Sequence, residues 1–371
     1  MNVERILPQL LVGQNGLEID SAQQWEELRR PELLELFAEH VYGRQPLQRP
    51  ETMTFTAASQ AGCLDGKAIR KSIHIDFSGE NGGQGRIRLT LYVPADAAAG
   101  KKRYPAFLLF DHGRLSAVPE GDSPSSPFWP VEQILASGYA ATMIAAEDID
   151  PDEHDGFRNG VHGIFDPQDR PRAADAWGTI AAWAWGLSRA MDYLETDPDV
   201  DPARIAVIGH SRGGKTALWA GALDERIAMV VSNESGCTGA AVSRGKAGER
   251  VHQINKAFPH WFSENYKRYN HKEDELPVDQ HLLLALIAPR LLYVSSAAED
   301  EWADPVSEYL SLQLAEPVYR LFGADGVAAE PFPQLDSPLH TERCGYHVRA
   351  GQHDLTKVDW MYILGFANGR L

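Results

Sequence analysis

Gly209-His210-Ser211-Arg212-Gly213 sets one serine between two glycines, directly after the apolar run Ile205–Ile208. A serine hydroxyl attacks a carbonyl carbon only if a base takes its proton and a carboxylate orients that base. The plain alternative is a strand-to-helix turn with a solvated serine, so the rest of the chain must supply the partners. Of thirteen histidines, His340, His347 and His353 follow the last long apolar run. Tyr346–Arg349 reads as a short strand, and His353 lies on the glycine turn between it and a helix containing Trp360, which makes His353 the expected base. His347 falls within that strand and reads as a packed or hydrogen-bonded residue, while His340 lies in a proline-rich loop. Two carboxylates compete as the orienting acid: Glu234 in VVSNESG and Asp300 after RLLYVSSAAE. Each also has a structural alternative, Glu234 pairing with Arg212 or Arg244 and Asp300 capping the turn before Trp302. The residues leave the choice open.

An oxyanion needs two donors aimed at it. The Arg212 backbone N–H is one, and the loop around His112–Gly113 is expected to give the other. The Arg212 guanidinium could add charge there, and Lys215 follows one turn further along the same helix face. Two cations beside a nucleophile point to an acidic substrate.

The elements around these residues have a regular form. Short apolar runs, PAFLLFDHG (105–113), YAATMIAAED (139–148), RIAVIGHS (204–211), RIAMVVSNES (226–235) and PRLLYVSSAAED (289–300), each end in polar residues. Continuous apolar strands belong to a parallel sheet buried on both faces. Helical patterns at 175–196 and after Ser211 alternate with them, which predicts an α/β sheet with helices on both sides. In such a sheet ligands bind off the carboxyl ends of the strands, where the polar residues cluster. A serine in G-x-S-x-G after a strand, with acid and histidine following in that order, predicts the α/β-hydrolase fold, a three-layer sandwich around a mostly parallel sheet. Before it, residues 21–42 read as an amphipathic helix, and 68–77 with 86–93 as an antiparallel hairpin about GENGGQG. The expected organisation is one domain over 1–371, with 1–50 as an N-terminal helical arm and 236–288 as an insertion near the active site.

The bulk numbers narrow the partners. Net charge is −17, which argues against nucleic acid or an anionic membrane, and no apolar run is long enough to span a bilayer. Three cysteines, Cys63, Cys237 and Cys344, cannot form a disulfide framework. The N-terminus lacks the cationic and apolar regions of a signal peptide, which predicts a cytoplasmic protein unless such a signal was removed. No cofactor is expected, and no metal, because pairs such as His154 and His162 lack a ligand set.

Several separated blocks resemble the glucuronoyl esterases of carbohydrate esterase family 15: VYGRQP, GHSRGGKTALWAGALDERIAMVVSNESGCTGAA, FPHWF, LPVDQHLLLALIAPRLLYVSSAAEDEWADP and HVRAGQHDLTKVDW. The resemblance covers most of the chain. It implies a serine esterase cleaving esters of 4-O-methyl-glucuronic acid that link xylan to lignin alcohols, so the expected partner is a small-molecule or oligosaccharide ester bearing a uronate. By motif it implies Ser211 as nucleophile, His353 as base, Glu234 as acid and Arg212 as oxyanion stabiliser, with some relatives using the position of Asp300. Lys215 and Trp302 would contact the sugar. The fungal pattern has a cysteine at His210, paired with one at Asp354. The family's sugar-holding Gln and Glu have their nearest counterparts at His252 or Gln253 and at Phe258. The alternative reading is an acetylxylan or general carboxylesterase on the same fold. A non-catalytic carbohydrate-binding protein would show a broken triad.

Overall fold

The computed structural model describes residues 5–79, 82–99, 102–115, 126–167, 169–328 and 331–371. Ten strands form one sheet: β1 Thr54–Cys63, β2 Ala68–Ser78, β3 Gln84–Pro94, β4 Tyr104–Asp111, β5 Ala140–Ala145, β6 Val200–His210, β7 Met229–Asn233, β8 Leu291–Ala297, β9 Leu339–His340 and β10 Cys344–Arg349. Their spatial order is β1-β2-β3-β5-β4-β6-β7-β8-β10-β9. From β5 to β10 every pairing is parallel. β1, β2 and β3 are antiparallel to one another, β3 is antiparallel to β5, and β9 is antiparallel to β10. The expected mostly parallel sheet with an antiparallel N-terminal hairpin is therefore present, as in the α/β-hydrolase fold.

Both faces of the sheet are dry, and β4 shows how. Ala106, Leu108 and Phe110 join one apolar cluster, whereas Phe107 and Leu109 join the other. Alternate side chains of a strand leave opposite faces, so a continuous apolar run requires cover on both. The helices Thr179–Leu194, Arg212–Leu223 and Pro305–Leu321 contribute to the first cluster, and the helix Lys357–Ala367 to the second.

Some expectations shift. The segment read as 21–42 is helical over Ala22–Tyr42, but α-helical stretches at Ala22–Gln24 and Arg30–Phe37 alternate with π turns at Trp25–Arg29 and Ala38–Tyr42. The hairpin strands pair as predicted, while Glu80 and Asn81 of its turn lie outside the described residues. A third antiparallel strand, β1, precedes them. His340 belongs to the short strand β9 and not to an irregular loop. Residues 236–288 contain the helices Val251–Ala257 and Gln280–Ala285 and pack on the N-terminal helical segment: Ser263 N–H donates to Val41 O at 2.9 Å, and Asn265 Nδ2 to Glu39 O at 2.9 Å.

Candidate active site

β6 ends at His210, and the helix Arg212–Leu223 begins one residue after Ser211. The turn between them is tight enough that a Cβ on Gly209 would lie 2.0 Å from Gly213 O, so glycine is required there. Ser211 itself adopts φ 57° and ψ −123°, a conformation that costs a non-glycine residue about 1–3 kcal/mol. Its N–H donates to Asn233 O at 2.9 Å, and its carbonyl accepts from Gly214 N–H at 2.9 Å. The strained serine is thus fastened to the neighbouring strand and lifted off the carboxyl end of the sheet.

His353 lies where the sequence places it, on the loop between β10 and the helix Lys357–Ala367. The two competing acids both reach it. Its Nδ1 is 2.6 Å from Asp300 Oδ2 and 3.2 Å from Glu234 Oε2. Nδ1 therefore carries a proton shared toward two carboxylates, which leaves Nε2 as the ring nitrogen available to exchange a proton. No hydrogen bond joins Ser211 and His353 among the described residues; contacts of this kind commonly close only when substrate is bound.

The two acids differ in their surroundings. Glu234 does not pair with Arg212 or Arg244, the partners considered from sequence. Instead its Oε1 accepts from Arg349 Nη2 at 2.7 Å and its Oε2 from Asp354 N–H at 3.0 Å, while Arg349 also bonds Asp359 at 2.8 Å. Arg244 pairs with Asp279. Asp300 combines both of its sequence readings, since Oδ1 accepts from Ala303 N–H at 3.1 Å while Oδ2 holds His353. Burial pushes the Glu234 carboxyl up to about 7 despite His353 and Arg349. Burial acts most strongly on Asp300, but the hydrogen bond and charge of His353, the Ala303 N–H and the charge of Lys215 together outweigh it and hold that carboxyl below its ordinary range. Burial alone would lower His353; the bonds to Asp300 and Glu234 reverse this and bring it to about 9. Asp300 is accordingly the anion that orients the histidine most directly, and Glu234 is a second acid tied to the scaffold.

His210 packs its ring against His353 with centroids 4.4 Å apart, and its Nδ1 is 2.6 Å from Asn233 Oδ1. Burial keeps His210 well below the ordinary histidine range, reinforced by His353 and His112. A neutral ring can therefore sit beside a base that becomes cationic. Asp354 Oδ1 accepts from Arg114 Nη2 at 2.7 Å, which ties the His353 loop to the loop after β4. Where the fungal pattern has a cysteine pair, this chain has a ring contact and an ion pair.

The flanking candidates divide. The Arg212 guanidinium stands over the rings of Phe258 and Trp261, at 5.1 Å and 4.7 Å, and bonds Asp152. His112 and Gly113 follow β4 on the same rim, and His112 is pushed down to about 3 by burial and by Arg212. Lys215, one turn further along the helix from Arg212, is 4% exposed and donates to Ser235 O. Trp302 is 54% exposed on the loop after Asp300, free to meet a ligand. That loop is fixed from the segment 236–288: Glu249 N–H donates to Trp302 O at 3.0 Å, and a Cβ on Gly248 (φ 64°) would lie 2.4 Å from the same oxygen. Gln253 closes a helix start, its Oε1 accepting from Arg250 N–H at 2.7 Å, and His252 stacks on His271 at 3.9 Å. The structure commits Gln253 to that cap. His347 is buried between Tyr293 and Asp359, both at 2.9 Å, as a packed residue should be. Sequence reasoning passed over Asp152, which follows the polar end of β5 with no motif to mark it.

Among the described residues, Glu234, Asp300 and His353 form a group whose ligand atoms lie within 4.8 Å of one another. Their hydrogen bonds are those of an oriented imidazole, with Arg349 already occupying Glu234. His154 stacks near His260 at 6.2 Å, whereas His162 is buried between Asp150 and Asp166, 3.5 Å and 3.4 Å away.

Comparison with known proteins gives the family. Residues 171–323 match the family model described as glucuronyl esterase, fungi. The chain is 42% identical over 98% of its length, and 89% of the relative's, to carbohydrate esterase MZ0003 from an unknown prokaryotic organism. It is 30% identical over 84% of its length to the 4-O-methyl-glucuronoyl methylesterase of Podospora anserina, covering 59% of that protein. Among solved structures, the glucuronoyl esterase of Solibacter usitatus superposes with TM-score 0.90 at 41% identity, covering 99% of this chain and 98% of that one. A promiscuous esterase of the same family from a marine bacterial metagenome superposes with TM-score 0.89 at 40% identity, covering 100% and 98%.

Proposed function

Because the chain belongs to the glucuronoyl esterases of carbohydrate esterase family 15, we propose that it cleaves esters of 4-O-methyl-glucuronic acid through a Ser211 acyl-enzyme, using His353 as base and Asp300, assisted by Glu234, as acid. It is a carboxylic ester hydrolase. The observation that carries the residue roles is the strained Ser211 turn beside a histidine whose Nδ1 is engaged by two carboxylates. His353 Nε2 takes the Ser211 proton as Oγ attacks the ester carbon. The charge that develops on the carbonyl oxygen meets the Arg212 N–H and guanidinium at the start of a helix. Collapse expels the alcohol, which leaves with the proton held by His353. Water, deprotonated by the same nitrogen, then attacks the acyl carbon, and the free uronic acid departs. Exposed Trp302 offers an apolar face to the sugar ring. Lys215 supports the Ser235 turn below.

The test is hydrolysis of benzyl glucuronate and of p-nitrophenyl acetate by the wild type and Ser211→Ala. The wild type is expected to cleave the glucuronate, and Ser211→Ala to lose about 10³-fold or more in kcat while remaining folded. Cleavage of the acetate alone would replace this reading with a general carboxylesterase, a reading favoured by the similarity to an esterase described as promiscuous. Turnover unaffected by Ser211→Ala would defeat both.

A further inference from the structure

We infer that Asp152 is a positioning residue for the oxyanion-binding Arg212, locking the guanidinium to an aromatic platform before charge develops. Two independent sets of contacts meet on its carboxylate. Oδ1 accepts from Trp261 Nε1 at 2.7 Å and from His260 Nε2 at 3.0 Å, while Oδ2 accepts from Arg212 Nη1. One oxygen is thus anchored to the insertion and the other grips the arginine. Burial would raise this carboxyl, but the bonds from His260, Trp261 and Arg212 outweigh it and hold it at about 2. It is an anion throughout the working pH range.

The platform beneath is itself fixed. Phe258 and Trp261 stack with centroids 3.8 Å apart and planes 3° from parallel. His260 O and Trp261 O accept the first N–H groups of the helix Thr179–Leu194, from Thr179 at 2.9 Å and Ile180 at 3.1 Å. A Cβ on Gly178 would lie 2.4 Å from Trp261 O, so this junction admits no side chain. Asp152 therefore links Arg212 to a helix end through short, saturated contacts. Arg212 Nε is buried with no hydrogen-bond partner among the described residues, and the ion pair engages Nη1. A long arginine side chain left free would lose rotamer entropy on each turnover. Held in place, it presents its charge without reorganisation, which is what electrostatic catalysis requires.

This inference rests on the oxyanion role of Arg212 in the proposed function. The experiment compares Asp152→Asn, Arg212→Ala and the double variant with the wild type on benzyl glucuronate, with thermal unfolding measured for each. Asp152→Asn removes the charge and keeps acceptors for the indole and the imidazole. It is expected to lower kcat about 10- to 100-fold and to change KM less than about threefold, whereas in the Arg212→Ala background the same change should cost less than about threefold. A purely structural role would lower kcat by the same factor in both backgrounds, and that result overturns the inference, as does a kcat for Asp152→Asn within about twofold of wild type. Should Asp152→Asn not fold, Asp152→Glu, charged but one methylene longer, replaces it under the same two criteria. Failure of the serine-esterase reading is separate, because it appears as turnover that survives Ser211→Ala.

Discussion

At His353 the number of carboxylates exceeds what orientation alone needs, and their inequality has kinetic consequences. A base must be unprotonated in the resting enzyme, so activity rises as pH climbs through its pKa, about 9 here. Asp300 makes the shorter bond and stays ionised more readily than Glu234. Removing it by Asp300→Asn withdraws the larger stabilisation of the imidazolium, so His353 should deprotonate more easily. The acid limb of kcat/KM is then expected about 1 pH unit lower, with kcat reduced about 10- to 100-fold because Glu234 still holds Nδ1. Glu234→Gln should shift the limb less and cost more stability, since Arg349 loses one of its two buried anionic partners. Measured pH–rate profiles of the two variants decide this. Equal shifts would mean the acids are interchangeable, and a shift upward for Asp300→Asn would refute the assignment.

The elements around the site were legible in proportion to how one-sided their packing is. β4, β7, β8 and the second half of β6 are short, apolar runs, so their burial on both faces could be read directly from composition. β1, TFTAASQAGC, is an exposed edge strand whose small and polar residues carry no such signal. The helix Pro305–Leu321 escaped notice as well, with Pro317 interrupting its pattern. Ser211 and His353 were found because each sits on a turn next to a recognisable strand. Glu234 and Asp300 could not be ranked, because the ranking depends on Arg349 and on burial, which no spacing encodes. For a related reason the burial of Lys215 against Ser235 O was not legible: helical periodicity gives a face but not what covers it. The overlooked helix has its own function in the scaffold. It sends Glu308 under the ends of β7 and β8, where it accepts from Gly236 N–H at 2.8 Å and Ser296 Oγ at 2.6 Å. Burial raises that carboxyl to about 8. The folded protein therefore keeps this proton at pH values where the unfolded chain has lost it. The associated stabilisation is full below about pH 4.5 and disappears as pH rises toward 8. Glu308→Gln cannot ionise. Its melting temperature relative to wild type should thus rise by several degrees between about pH 5 and 8.5. A difference that is the same at both pH values would show that Glu308 titrates normally.

The molecule as a whole carries −17 charges, yet the site is built around an arginine. Those two facts act over different distances. In the proposed mechanism the Arg212 guanidinium works on an oxyanion in contact with it, a separation much shorter than the screening length of salt. The net charge acts across the solvent, and the screening length there shrinks from about 30 Å at 0.01 M salt to about 8 Å at 0.15 M. A glucuronoxylan chain bears free uronates beside its esterified ones and approaches as a polyanion, whereas a benzyl glucuronate ester is neutral. Long-range repulsion should therefore oppose capture of the polymer and leave the small ester unaffected, and it should also help to expel the carboxylate product. Raising ionic strength from about 0.01 M to 0.15 M is expected to lower KM for a glucuronoxylan-borne ester several-fold while KM for benzyl glucuronate changes less than about 1.5-fold. Initial-rate kinetics on both substrates over that range test the prediction. If KM for the polymer instead rises with salt, a local basic track must be drawing the chain in against the overall field.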